Sequence, residues 1–128
     1  MRRIKILIVS SPSLARVIEY MFLDRTEFEV VGTVSDLGSL GRQAESLLPD
    51  LIVVDVKPVG TAIDRLVASI KQSSPSSKLI LSCPIEDLSR AARKCGADAY
   101  LNDEKLTGQL VRTARTLADC SKIVNGRH

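Results

Sequence analysis

An open, doubly wound α/β sheet of five parallel strands, with helices on both faces, is the fold that this 128-residue sequence predicts. Three features predict it. Five short apolar runs, at residues 4–9, 28–34, 51–54, 79–81 and 99–101, have centres roughly 20 to 27 residues apart, a spacing that suits strands joined by one helix each. The first, third and fourth runs lack polar alternation, as parallel strands covered on both faces do. Between the runs, apolar residues recur at helical spacing. A β-α unit repeated five times is satisfied most simply by a doubly wound sheet.

The elements follow in order. Ile6-Leu7-Ile8-Val9 reads as a buried strand ending at Ser10-Ser11. Ser11 can cap a helix with Pro12 at its first position, and Leu14, Val17, Ile18, Met21 and Phe22 form the stripe that follows. After the second run, Leu40, Ala44, Leu47 and Leu48 form the next stripe, ended by Pro49. Ile63, Leu66, Val67 and Ile70 write a third helix that stops in the turn at 73–77 around Pro75. A fourth runs from about Ile85 to Lys94 with Cys95-Gly96 as its stop signal, and has only Leu88, Ala91 and Ala92 to bury. Leu106, Leu110, Val111, Ala114 and Leu117 mark the fifth. Residues 1–118 read as one domain, and residues 119–128 as a polar tail.

Composition bounds the function. This length supports one hydrophobic core and not two. Hydrophobic residues make up 45% but aromatics only 3%, with no Trp, so the core must be aliphatic. A formal charge of +3 is too mild for a nucleic-acid footprint, and a nucleic-acid partner is not expected. Cys83, Cys95 and Cys120 are odd in number, lack a CxxC or zinc-ligand spacing, and point to a reducing compartment. The lone His128 adds no metal site. The basic start Met1-Arg2-Arg3-Ile4-Lys5 is followed by too few apolar residues for a signal peptide, and no run approaches membrane-spanning length. The expectation is a cytoplasmic protein without a membrane partner.

One position stands out chemically. Asp55 ends the run Leu51-Ile52-Val53-Val54, and the carboxyl end of a central parallel strand is where open α/β sheets place ligand sites. The plain alternative is a strand-end Asp that caps the next loop. No Gly-rich phosphate loop follows the first strand; Ser10-Ser11-Pro12-Ser13 stands there instead.

Lys5-Ile6-Leu7-Ile8-Val9, Pro49-Asp50-Leu51-Ile52-Val53-Val54-Asp55, Lys78-Leu79-Ile80-Leu81-Ser82 and Gly96-Ala97-Asp98-Ala99-Tyr100-Leu101, in this order and spacing, resemble the receiver domain of bacterial two-component response regulators. Phe28-Glu29-Val30-Val31-Gly32 is similar to receivers that precede helix-turn-helix output domains. The resemblance covers about residues 4–118 and implies a flavodoxin-like (CheY-like) strand order of 2-1-3-4-5. It makes Asp55 the equivalent of the phosphoacceptor, whose carboxylate would attack a phosphohistidine phosphorus to give an acyl phosphate. Ser82 becomes the hydroxyl that binds the phosphoryl group, and Tyr100 the aromatic switch that follows it inward. A strand-end Ser satisfying backbone and a Tyr filling the sheet edge are the alternatives.

The chain also departs from the family. Two acidic residues that hold magnesium are replaced by Ser10 and Ser11, and magnesium is usually held through carboxylates. On an ungapped match the family's lysine after the fifth strand becomes Asp103, an anion in place of a cation. Phosphoryl transfer depends on such cations, so losing both should remove several kcal/mol of transition-state stabilisation. Lys57, two residues beyond Asp55, could pair with it and occupy the vacant metal position; Lys105 could also swing in.

The reading is an atypical, stand-alone pseudo-receiver that acts as a protein-interaction module in a bacterial phosphorelay-type pathway. It is not expected to be an enzyme or to hold a cofactor, and magnesium binding should be weak or absent. Partners would be proteins: a histidine kinase, an effector or a second copy. The interaction face would be that of the fourth and fifth helices, with Arg90, Arg93, Lys94, Arg112 and Arg115 available. Two alternatives stay open: a regulator still phosphorylated at Asp55, and a flavodoxin-like domain that binds a small ligand.

Overall fold

The computed structural model describes residues 3–35, 39–55, 63–83, 97–102 and 108–118. Within them the chain runs β1 (Ile4–Val9), α1 (Pro12–Phe22), β2 (Phe28–Val34), α2 (Leu40–Leu47), β3 (Leu51–Asp55), α3 (Ile63–Ser73), β4 (Lys78–Cys83) and β5 (Ala99–Asn102), followed by a helix at 108–118. The strands form one parallel sheet in the order β2-β1-β3-β4-β5, as predicted.

Side-chain alternation along the central strands divides the core in two. Ile6 and Ile8 of β1, Leu51 and Val53 of β3 and Ile80 of β4 pack with Ala15, Ile18 and Phe22 of α1 and with Leu110 and Ala114 of the 108–118 helix. The intervening residues, Leu7, Val9, Ile52, Val54, Leu79 and Leu81, pack on the other face with Leu40 and Ala44 of α2 and Val67 and Ile70 of α3. Both faces of β1, β3 and β4 are therefore apolar, which is why these strands read as unbroken aliphatic runs.

Helix entry and exit follow local chemistry. Ser11 holds extended backbone (φ −60°, ψ 153°) and its hydroxyl accepts from the Leu14 N–H at 3.5 Å, with Pro12 where a missing N–H costs nothing. α2 ends at Leu48, whose φ of 48° is left-handed and whose N–H donates to the Ala44 carbonyl. The sequence places Leu48 on the buried stripe of α2. In the structure it is 68% exposed, because the left-handed turn before Pro49 carries it off the helical face. A register shift between Ile6 and Leu7 leaves Val31 as the extra residue of β2, a bulge on an edge strand.

The amino ends of the strands are pinned by two aspartates. Asp50 accepts the Lys5 N–H on its carboxylate at 2.8 Å, donates its own N–H to the Lys5 carbonyl, and takes the Lys78 N–H on its carbonyl. Asp98 accepts the Leu79 N–H and the Lys71 ammonium, both at 2.7 Å, on one carboxylate oxygen. Buried Ser74 and Ser77 bond to each other, and Ser77 donates to the Pro49 carbonyl.

The segment assigned to a fourth helix and the tail at 119–128 lie outside the described residues.

Candidate functional site

At the opposite, carboxyl ends of the strands the sheet sets Ser10, Asp55 and Ser82 side by side. Asp55 is the last residue of β3 and pairs in register with Ser82 of β4. Val54 pairs with Val9, so the next residues along the two strands are Asp55 and Ser10. By the two-residue alternation of strands, Ser10, Asp55 and Ser82 continue the rows of Ile8, Val53 and Ile80 and share one face, on neighbouring strands about 4.8 Å apart. Asp55 is partly exposed, Ser82 is fully buried and Ser10 is buried. At the other sheet edge Tyr100 pairs with Leu81 and packs, half-buried, against the α2/α3 core. The aromatic position thus lies on the face opposite the Asp55–Ser82 row.

Both serines after β1 are committed to backbone. The Ser10 N–H donates to the Val34 carbonyl at 3.0 Å, tying β1 to β2 beyond the strand. Its hydroxyl donates to the Ser11 carbonyl at 3.0 Å. Ser11 caps α1. No buried side-chain nitrogen or oxygen of the described residues lacks a hydrogen-bond partner.

The family resemblance implies a magnesium ion at this edge, and the described residues there bring one carboxylate to it. The described strand ends offer Ser10, Ser11, Ser35, Asp55 and Ser82, a single carboxylate among hydroxyls. Among the described residues no group of three or more His, Cys, Asp or Glu side chains is placed to hold a metal ion. Magnesium is dehydrated reluctantly and is usually held through one or two carboxylates.

Lys57, Asp103 and Lys105 lie outside the described residues, as do Arg90, Arg93 and Lys94 of the anticipated basic face. Of the two remaining cations of that face, Arg112 is exposed and Arg115 pairs with Glu27 at 2.5 Å. Sequence reasoning assigned no role to Asp50 or Asp98. Their signal was present in the Pro-Asp and Gly-Ala-Asp steps just before strands, where a carboxylate can take the first strand amides.

No protein-family model matches the chain. It is 29% identical over 124 residues to the protein-glutamate methylesterase/protein-glutamine glutaminase 3 of Myxococcus xanthus, an alignment covering 91% of this chain and 35% of that protein. The chain therefore spans about a third of the length of this relative. Among solved structures it is similar to the signal receiver domain of a putative Luxo repressor protein from Vibrio parahaemolyticus, with a TM-score of 0.82 and 20% identity over 97% of this chain and 96% of that one. It is also similar to the response regulator domain of Thermotoga maritima CheB, with a TM-score of 0.79 and 20% identity over 92% and 98% of the two chains. A two-component response regulator of the LuxR family from Aurantimonas sp. gives a TM-score of 0.81 at 18% identity, over 92% and 86%. The fold is that of the receiver domains of response regulators. Among the described residues no helix is long and apolar enough to cross a membrane.

Proposed function

We propose that this chain is an atypical receiver domain that works as a protein-interaction module in a phosphorelay-type pathway, without normal magnesium-dependent phosphorylation and without enzymatic activity of its own. One observation carries the reading. Asp55 ends β3 in register with Ser82, and the residues that follow β1 beside it are the neutral serines Ser10 and Ser11, bonded to the Ser11 carbonyl and the Leu14 N–H, so the described strand ends bring no second carboxylate to Asp55. The activity named for the Myxococcus relative belongs to a protein about three times as long and is not carried over.

The test is an amide NMR titration with magnesium and then beryllofluoride, an acyl-phosphate mimic. The expected result is no saturable shift at Asp55, Ser82 or Tyr100. Saturable shifts spreading from Asp55 to Tyr100 would overturn the proposal.

A second reading keeps phosphorylation, and the register of Asp55 with Ser82 favours it, because that pair would receive a phosphoryl group together. On that reading a cognate histidine kinase labels the protein slowly and Asp55→Asn abolishes the label; label persisting on Asp55→Asn excludes Asp55 as the acceptor. A small-ligand flavodoxin-like role predicts a bound chromophore or a saturable ligand, and the absorbance of the purified protein tests it.

A further inference from the structure

Among the described residues four large hydrophobic side chains are exposed, and three of them form one stripe on α1: Val17 (47%), Tyr20 (76%) and Leu23 (72%). Leu23 keeps helical backbone, so the stripe runs one residue past the helix, and exposed Arg16 and Asp24 flank its two ends. The core does not use this face: α1 buries Ala15, Ile18 and Phe22 instead. Tyr20 and Leu23 also border a groove of about 440 Å³ floored by Phe22 and Phe28. The charged residues of the groove are balanced, Arg3 and Arg16 against Glu19 and Glu29. A neutral rim offers no net field to a strongly acidic or basic partner. It does suit a partner that carries the same arrangement reversed, which a two-fold axis supplies.

We propose that this face is a homodimer interface in which two α1 helices pack antiparallel with Tyr20 on the two-fold axis. In that register Val17 of each copy faces Leu23 of the other, and Arg16 faces Asp24. Every exposed apolar side chain of the stripe is covered, and each cation meets an anion. A slip of about one helical turn either way sets Val17 against Glu19 or Tyr20 against Asp24, so the register is specified by the sequence. The stripe offers only three apolar side chains per copy, at the low end of interface sizes, so the dimer is transient. The proposal names one partner for the interaction module above and fails separately from it, since beryllofluoride tests that reading and sedimentation tests this one.

Sedimentation equilibrium of the full chain, from about 10 μM to about 1 mM, is the experiment. The expected result is a concentration-dependent dimer that Tyr20→Glu weakens roughly 100-fold, as loss of a central aromatic at both symmetric positions should. Arg16→Glu and Asp24→Arg each set like charges face to face, so each variant alone is monomeric, and an equal mixture restores the dimer because both ion pairs reform between unlike chains. All three side chains are exposed, and circular dichroism verifies that the variants are folded. A monomer at about 1 mM overturns the proposal and leaves the α1 face to a different protein. A dimer indifferent to Tyr20→Glu, or a mixture that stays monomeric, also overturns it.

Discussion

On the proposed reading the natural chain has no magnesium dependence, and acids placed after β1 should create one. In the double variant Ser10→Asp, Ser11→Asp, the cap of α1 is preserved, since Asp caps a helix as well as Ser. The new carboxylate at position 10 arrives beside Asp55, one strand away, at a site that is only 7% exposed. Two anions about 5 Å apart repel by about 1 kcal/mol at the dielectric of water and about 3 kcal/mol at an effective dielectric of about 20. The metal-free variant should therefore lose about 1 to 3 kcal/mol of stability, before any loss from the Ser10 hydroxyl bond. Magnesium should return part of this. With a dissociation constant on the order of 1 mM, about 10 mM magnesium contributes about 1.4 kcal/mol by mass action. Urea unfolding with chelator and with magnesium measures both quantities. The natural protein should be unchanged by magnesium within about 0.3 kcal/mol, inside the error of linear extrapolation. If magnesium stabilises the natural protein as much as the variant, its hydroxyl-rich edge already holds the ion and the reasoning fails.

Two further predictions concern stability. Asp98→Ala leaves the partly buried Leu79 N–H without its acceptor and the Lys71 ammonium with the Ser77 carbonyl but no carboxylate, and should cost about 2 kcal/mol, with Asp98→Asn costing less, by denaturant titration. Leu48→Gly removes a side chain from a left-handed position where it is mostly exposed, and should raise stability by about 0.5 to 1 kcal/mol in the same assay.

The fold was legible because its main signal is local. The runs at 4–9 and 28–34 match β1 and β2, and β3, β4 and β5 extend their predicted runs by at most two residues at either end. Pro49 and Pro75 bound α2 and α3 as expected. Leu48 escaped because its apolar spacing continues the stripe of Leu40, Ala44 and Leu47, although Pro49 beside it already bars it from the helix. The rest depends on contacts distant in the sequence. The bulge at Val31 exists only relative to β1. The role of Asp98 rests on Lys71 and Leu79, both in other elements. The site was legible as positions: Asp55 and Ser82 do lie side by side, and Ser10 follows on the neighbouring strand. The commitment of the Ser10 and Ser11 hydroxyls to backbone was not, because it depends on the exact turn between β1 and α1.

The two edges of the sheet divide labour in a way that bears on how such domains diversify. Strand register is held at the amino edge, where Asp50 joins β1, β3 and β4 and Asp98 joins the start of β5 to β4 and α3. The residues that would set chemistry stand at the other end of the same strands. Substitution at Ser10, Ser11 or Ser82 leaves every one of those anchoring bonds intact. A lineage could thus exchange acids for hydroxyls, or restore them, while the strands stay aligned. The scaffold tolerates a change of trade without a change of shape.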